Sequence, residues 1–494
     1  MSRFLGSDEQ KAAWHYWAAW LLVLVAAIFC RVATLASESI GSDEVFSRTV
    51  AVSRLPDSMA IIRQDIVHPP LYYLLLKITV GLLGSGVTEI RVLSLFFGIA
   101  TIGALALLPR WWPEWRAPAL LAGALVAVNH QHITFSQQVR SYAFYAFLIT
   151  MLLLWCFYLE KDWDSKVYWT FGSALMLAAL YTHYISALYV GCIGGALLLG
   201  KTPTKIKRLT VFTLIAIFLL FTPWIVYISA AYQQKRGLDS NLGWITPPTL
   251  YELKAVWAEF LGIPPFPGAT TVSFCLGAAL VGGGLVSYFL RGASRHHTAI
   301  LALAFTAVVP PLALFFLSMS ERLPSFYGFR HLLPSLIPWC LLACYGLQEL
   351  CRLSKAPRQI YAAGGATLLA IGLATSVVNR WSGPVSPRYE EMVEYLESAE
   401  LRGVDAYTTW NGIRDTVNFY SGEERVTLLD EKAALPDRLV LLFRPTIGPE
   451  QAAFDRLVVA DGYSVLKEMQ YGDFPDDYPA LVLLERRPAT GPPR

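Results

Sequence analysis

Asp65-Ile66-Val67-His68-Pro69-Pro70-Leu71-Tyr72-Tyr73 opens an apolar stretch that continues to Gly84, and how that stretch meets a membrane decides the topology of the chain. An acid and a histidine stand at its mouth. A second acidic pair, Asp43-Glu44, follows the first hydrophobic segment closely. Ionisable groups beside a membrane span are costly unless they face water, a partner or a bound molecule. Their placement predicts a functional site at a membrane surface.

The surrounding sequence is that of a polytopic α-helical membrane protein. Of 494 residues, 55% are hydrophobic and 16% charged, and apolar stretches recur along most of the chain. Trp14 to Ala36 is too long for a removed signal peptide and lacks its small-residue cleavage pattern, so it is predicted to stay as a first span, with the amino terminus cytoplasmic. A span takes ~20 apolar residues, and Lys and Arg in short loops are retained inside. The basic loops are Arg110 with Arg116, Lys161 with Lys166, Lys201 with Lys205, Lys207 and Arg208, Arg291 with Arg295, and Arg352 with Lys355 and Arg358. All lie inside if the spans run 14–36, 91–109, 117–135, 141–159, 168–184, 186–200, 209–229, 270–290, 298–318, 331–350 and 359–379, about eleven transmembrane helices. Counting Pro70 to Gly84 as a crossing inverts every later loop. That segment is short and carries Lys77, so it is expected to lie at or dip into the outer surface. Asp43, Glu44, Asp65 and His68 then share one outer loop, 37–90. Arg140 and Arg330 fall at outer span ends, His183 and Tyr184 at an outer hairpin tip, and Trp244 and Trp257 in a second outer loop, 230–268.

The composition changes after Asn379. Residues 381–494 hold 12 Lys plus Arg against 20 Asp plus Glu, net −8, while the remainder holds 28 against 17, net +11. Helices at Tyr389–Ala399, near Arg414–Tyr420 and at Glu450–Val459 alternate with strands at Asp405–Trp410, Val426–Leu429, Leu439–Phe443, Ser464–Met469 and Ala480–Glu485. This pattern predicts a soluble α/β sandwich, placed outside by parity. The expected domains are thus a membrane domain, 1–380, and an extracytoplasmic accessory domain, 381–494. The cysteines, Cys30, Cys156, Cys192, Cys275, Cys340, Cys344 and Cys351, all fall in or at the ends of predicted spans. An exported domain without cysteine fits a bacterial envelope. No P-loop or dinucleotide fingerprint is present, and neither a soluble nucleotide donor nor a nucleic-acid partner is expected. Cys340 and Cys344 have no clustered ligands around them, so no metal site is assigned.

Five stretches in order carry a family resemblance: Gly41-Ser42-Asp43-Glu44; Asp65 with His68 to Tyr73; Glu89-Ile90-Arg91-Val92-Leu93-Ser94-Leu95-Phe96-Phe97-Gly98; Gln138-Val139-Arg140-Ser141-Tyr142; and Phe329-Arg330-His331-Leu332-Leu333-Pro334. Over about the first 350 residues the chain resembles the GT-C superfamily of membrane glycosyltransferases. It is similar there to the branch of protein mannosyltransferases, aminoarabinose transferases and lipopolysaccharide-core-modifying enzymes. The resemblance implies a sugar donor linked to polyprenyl phosphate, an acceptor that is a glycan, glycolipid such as lipopolysaccharide, or protein, and transfer on the periplasmic side of a bacterial inner membrane. Inversion at the anomeric carbon is implied by the same resemblance and a single displacement.

The candidate residues suit that chemistry. A carboxylate that takes the acceptor's proton helps the displacement, and Asp43 matches the leading acid of the family's pair. Its alternative is capping the next helix or pairing with Arg48. Glu44 is assigned to orienting a sugar hydroxyl or neighbouring group, or to solvation alone. Asp65 is assigned to binding the acceptor or holding His68. Two prolines fix His68 at a helix entrance, where it can meet the donor phosphate, position the acceptor or simply cap. The departing phosphate gains charge that a fixed guanidinium stabilises; Arg140 and Arg330 are the candidates, with snorkelling to headgroups as the alternative. Tyr142 belongs to the Arg140 motif, and His183 is a further lining residue or a structural one. No resident cofactor is expected, although Asp43, Asp65 and His68 could share a divalent cation. Arg140 precedes Ser where the family has Pro or Ala, and His331 replaces a common Tyr, departures that bear on substrate more than on reaction class. A transporter or flippase should show repeated halves and broken helices at the midplane, which the sequence lacks. An O-antigen ligase or polymerase is the nearer alternative, but usually carries its main loop late in the chain.

Overall fold

Long apolar runs must satisfy their own backbone groups in lipid, and helices do so. In the computed structural model, which describes residues 7–36, 39–234, 247–263, 267–290, 296–320, 325–355, 357–381, 389–430, 435–444, 448–470 and 480–487, helix covers every expected span. The expectations on Arg291, Arg295 and Trp244 fall outside those residues. Among the described residues, seven helices are long and apolar enough to cross a membrane: Ala13–Val32, Val87–Trp111, Tyr142–Leu159, Thr204–Gln233, Gly268–Leu290, His297–Ser318 and Gln359–Val378. The other four expected spans are helical but shorter or more polar, so the protein is multi-pass without the count of eleven being fixed.

Two compact units divide the chain: residues 1–35 with 50–378, and residues 36–49 with 379–494. The first part of the expected outer loop, including Asp43 and Glu44, therefore groups with the C-terminal residues, while the rest of the loop stays with the membrane unit.

In the membrane unit, the expected span 117–135 is broken in two. Helix α7 (Arg116–Val128) ends at Asn129 and α8 (His130–Gln137) begins there, with Asn129 Oδ1 accepting the His132 backbone N–H. Its side-chain amide also donates to the Glu259 carbonyl. A break inside protein leaves orphan carbonyls, and Arg31, fully buried in the last turn of α1 (Ser7–Val32), meets them. Its guanidinium donates to the carbonyls of Ala127 (2.9 Å) and Val126 (3.3 Å), to Ser136 Oγ and to His132 Nδ1 (2.7 Å). In return Gln137 donates to the Arg31 carbonyl and to Thr34 Oγ1. Helix α8 is thereby pinned to the end of α1, three residues before Arg140. Gly98 of α5 (Val87–Leu105) lets α8 approach closely, since a Cβ there would overlap Ser136.

The other unit holds a five-stranded sheet in the order β2-β1-β3-β5-β4, formed by β1 (Asp405–Thr408), β2 (Val426–Leu428), β3 (Arg438–Phe443), β4 (Tyr463–Gln470) and β5 (Ala480–Arg486). The first three are parallel and the last two antiparallel to their neighbours. Successive residues of β3 face opposite ways, as the pleat requires. Val440 and Leu442 join Met392, Leu396, Ile413 and Val417 in one core, while Leu439, Leu441 and Phe443 join Leu457 in another. Helices thus cover both faces of the sheet. Ile40 donates its backbone N–H to Tyr420 Oη, and Arg48 lies 5.0 Å from the Phe419 ring, so residues 36–49 are fastened to the same unit.

Replacing Arg31 with Met keeps the length of the side chain but strands the α7 carbonyls, at about 1–3 kcal/mol for each buried group left unpaired. Thermal unfolding of purified Arg31→Met in detergent should show a clearly lowered midpoint; an unchanged midpoint would remove Arg31 as the brace of the break.

Candidate active site

The turn before α4 (Leu71–Leu83) is built by local constraint. Helix α3 (Leu55–Asp65) ends at Ile66, whose φ of 56° is left-handed, a conformation that costs a β-branched residue about 1–3 kcal/mol. The chain then passes His68 and the two prolines into α4, and Leu71 N–H bonds the Tyr181 carbonyl at 2.9 Å. That bond ties the turn to the one between α10 (Lys166–Leu180) and α11 (Ser186–Leu199), where His183 sits. Across from both, Ser94 Oγ donates to the Arg140 carbonyl at 3.2 Å and meets Tyr72 Oη at 2.7 Å.

These constraints bring five of the candidate residues together. Arg140 is buried, with Nη2 3.1 Å from His68 Nδ1 and Nη1 3.4 Å from Tyr73 Oη. Because a guanidinium only donates, His68 Nδ1 accepts, and its proton is assigned to Nε2. Asp65 Oδ2 lies 3.9 Å from that same nitrogen, beyond hydrogen-bond reach, so Arg140 rather than Asp65 orients the ring. The His68 ring stands 5.3 Å from His183 and 6.1 Å from Tyr142, the first residue of α9 (Tyr142–Leu159). His183 stacks on Tyr145 at 4.8 Å. Helix α16 (Phe329–Leu353) adds His331, 5.5 Å from His183 and 6.2 Å from Tyr142.

His183 accepts the Ile185 N–H on Nδ1 at 3.2 Å. Its Nε2 is buried and makes no hydrogen bond among the described residues. Because Nδ1 accepts, the ring carries its proton on Nε2 and presents an N–H there. Arg330 is half-buried and acts on both rings through its charge. The result is a buried cluster of guanidinium, imidazole and phenol groups, with the chemistry of an anion receptor.

Asp43 and Glu44 belong to the other compact unit. In α2 (Ser42–Val52), Asp43 is exposed in the first turn, and buried Glu44 accepts the Gly41 N–H at 3.2 Å, the third-position half of a capping box. Lys77 caps the other end of that helix, donating to the carbonyls of Ala51 and Ser53. Trp257, in α13 (Leu250–Phe260), is buried against Trp339 and Phe274. Among the described residues, no group of three or more His, Cys, Asp or Glu is placed to hold a metal ion. Tyr73 and His331 were not among the residues the sequence singled out, although both lie inside the motifs it did single out.

The fold has solved counterparts. ArnT from Cupriavidus metallidurans in the apo state aligns over 96% of this chain and 98% of its own, with TM-score 0.56 and 13% identity. The same protein bound to undecaprenyl phosphate aligns over the same shares at TM-score 0.54 and 12% identity. This chain has the GT-C fold. The Archaeoglobus fulgidus oligosaccharyltransferase in its apo form shares that GT-C architecture over 83% of this chain and 64% of its own, at TM-score 0.52 and 12% identity. No family description and no curated protein sequence matches the chain.

Nitrogen NMR of imidazole-labelled protein, with His183→Gln to assign the signal, should show the His183 proton on Nε2 and a bare Nδ1 that accepts the Ile185 N–H. A proton on Nδ1 would contradict this wiring of the ring.

Proposed function

We propose that the protein is a glycosyltransferase that moves a sugar from a polyprenyl-phosphate donor to an envelope glycan, lipopolysaccharide or other glycolipid, or protein, on the periplasmic side of a bacterial inner membrane. The observation that carries this reading is Arg140, buried with Tyr73 and His68 on its two terminal nitrogens at the edge of a cluster of imidazole and phenol rings. Support comes from the shared fold with ArnT, a structure of which holds undecaprenyl phosphate.

In the proposed reaction an acceptor hydroxyl attacks the anomeric carbon as the bond to the phosphate oxygen breaks. The electron pair of that bond leaves on the lipid phosphate. Arg140 and Arg330, with the Nε2–H groups of His68 and His183, meet the growing charge; removing one such fixed donor typically lowers a rate by about 10²–10³. Tyr142 packs between the rings and holds their spacing. Asp43 is proposed as the base that takes the acceptor's proton on its motif match, and Glu44 and Asp65 are proposed as orienting acids on theirs. No resident cofactor is invoked.

The test is transfer of radiolabelled sugar from a panel of polyprenyl-phosphate sugars into a bacterial envelope extract by the purified protein. Wild type should transfer from at least one donor, Arg140→Gln should be roughly 10²-fold or more slower, and Asp43→Asn should be inactive while folded. Equal transfer by Asp43→Asn would remove it as the base. No transfer from any donor would overturn the glycosyltransferase reading.

A further inference from the structure

Three imidazoles meet in the cluster, and the partner of each Nδ1 determines what the ring can do with a second proton. His68 and His183 both accept on Nδ1, from Arg140 and from the Ile185 N–H, so each already carries its proton on Nε2. Protonating either one breaks a hydrogen bond already made. His331 is wired the other way. Its Nδ1 lies 2.6 Å from the Phe326 carbonyl, which only accepts, so Nδ1 carries the proton and Nε2 the lone pair. Among the described residues no hydrogen bond to that Nε2 is formed. Of these three rings, His331 alone becomes an imidazolium without giving up a partner.

The charged groups around His331 bear on how readily it takes that second proton. His331 is buried, with Arg330 beside it on α16 and Arg140 and Tyr142 facing it from the start of α9. His183 faces it from the turn before α11, and His68 lies beyond that ring. The acids around the cluster are Asp65, next to His68, and Glu252 and Glu259 of α13, which act on Tyr327. Burial and the two guanidiniums both disfavour a further positive charge among these rings. An anion reverses that field.

We propose that the phosphodiester of a polyprenyl lipid binds at this cluster together with a proton, which settles on His331 Nε2 and turns it from a lone pair into a third imidazole N–H facing the phosphate. The inference rests on the donor class proposed above and adds a proton to its binding equilibrium. No bond between heavy atoms changes; a buffer acid or hydronium gives up one proton, which forms the Nε2–H bond of His331. Because the bound anion raises the proton affinity of His331 above that in the empty site, binding is tighter at low pH. It weakens by up to tenfold per pH unit as the pH rises between the two values.

The probe is the methyl phosphodiester of farnesol, whose charge is constant from about pH 5 to 9 because its only ionisation lies far below that range. Calorimetric titration of the full-length protein in detergent, repeated in buffers of different ionisation heat, reads the protons taken up per ligand. Wild type should take up about one proton where its affinity falls most steeply. His331→Gln should bind with no uptake and a flat pH profile. His183→Gln, which loses a donor but not the proton site, should bind more weakly and keep the uptake. Binding by wild type without uptake across the range, or unchanged uptake in His331→Gln, would overturn this inference and leave the donor class standing. Absence of binding by wild type at every pH would overturn both.

Discussion

The membrane unit depends on one arginine that never reaches a ligand. The span 117–135 is broken at Asn129, and a broken helix inside a protein is tolerable only when its freed carbonyls find donors. Arg31 supplies them from the neighbouring helix, and its own carbonyl receives Gln137. The short helix α8 is held at both ends as a result. The following Gln138 to Arg140 segment then turns inward, so that Arg140 is buried among rings instead of snorkelling to the surface.

Within the cluster, orientation comes from a chain of donors rather than from a carboxylate. Arg140 fixes the tautomer of His68, the Ile185 backbone fixes that of His183, and the Phe326 carbonyl fixes that of His331. With Nδ1 accepting in both, the first two rings carry their proton on Nε2, the arrangement in which they can meet an anion without forfeiting existing bonds. Such preorganised dipoles and charges are what a reaction with a departing phosphate requires, because they need not rearrange as charge develops.

Much of this was legible in the sequence, for identifiable reasons. Strand and helix positions of the C-terminal unit follow from alternation and turn residues, and the expected β3 and β5 agree with the observed ones to within a residue. Arg140, His68, Tyr142 and His183 were marked by polar chemistry at the ends of apolar runs. The break at Asn129 was missed because the flanking residues are apolar enough to read as one span, although Asn129-His130-Gln131-His132 is a polar quartet with an N-cap residue at its head. His331 was noticed only as a departure from a motif, because its value lies in which nitrogen its neighbours leave open. The grouping of 36–49 with the tail was not legible at all, since it depends on contacts with Tyr420 and Phe419 hundreds of residues away.

The most direct test of the central claim is a cryo-EM structure of the full-length protein with undecaprenyl phosphate bound. The account predicts the phosphate against Arg140, within hydrogen-bond reach of His183 Nε2, with the lipid chain leading away from the ring cluster. A phosphate bound elsewhere, away from Arg140 and the imidazole cluster, would contradict it.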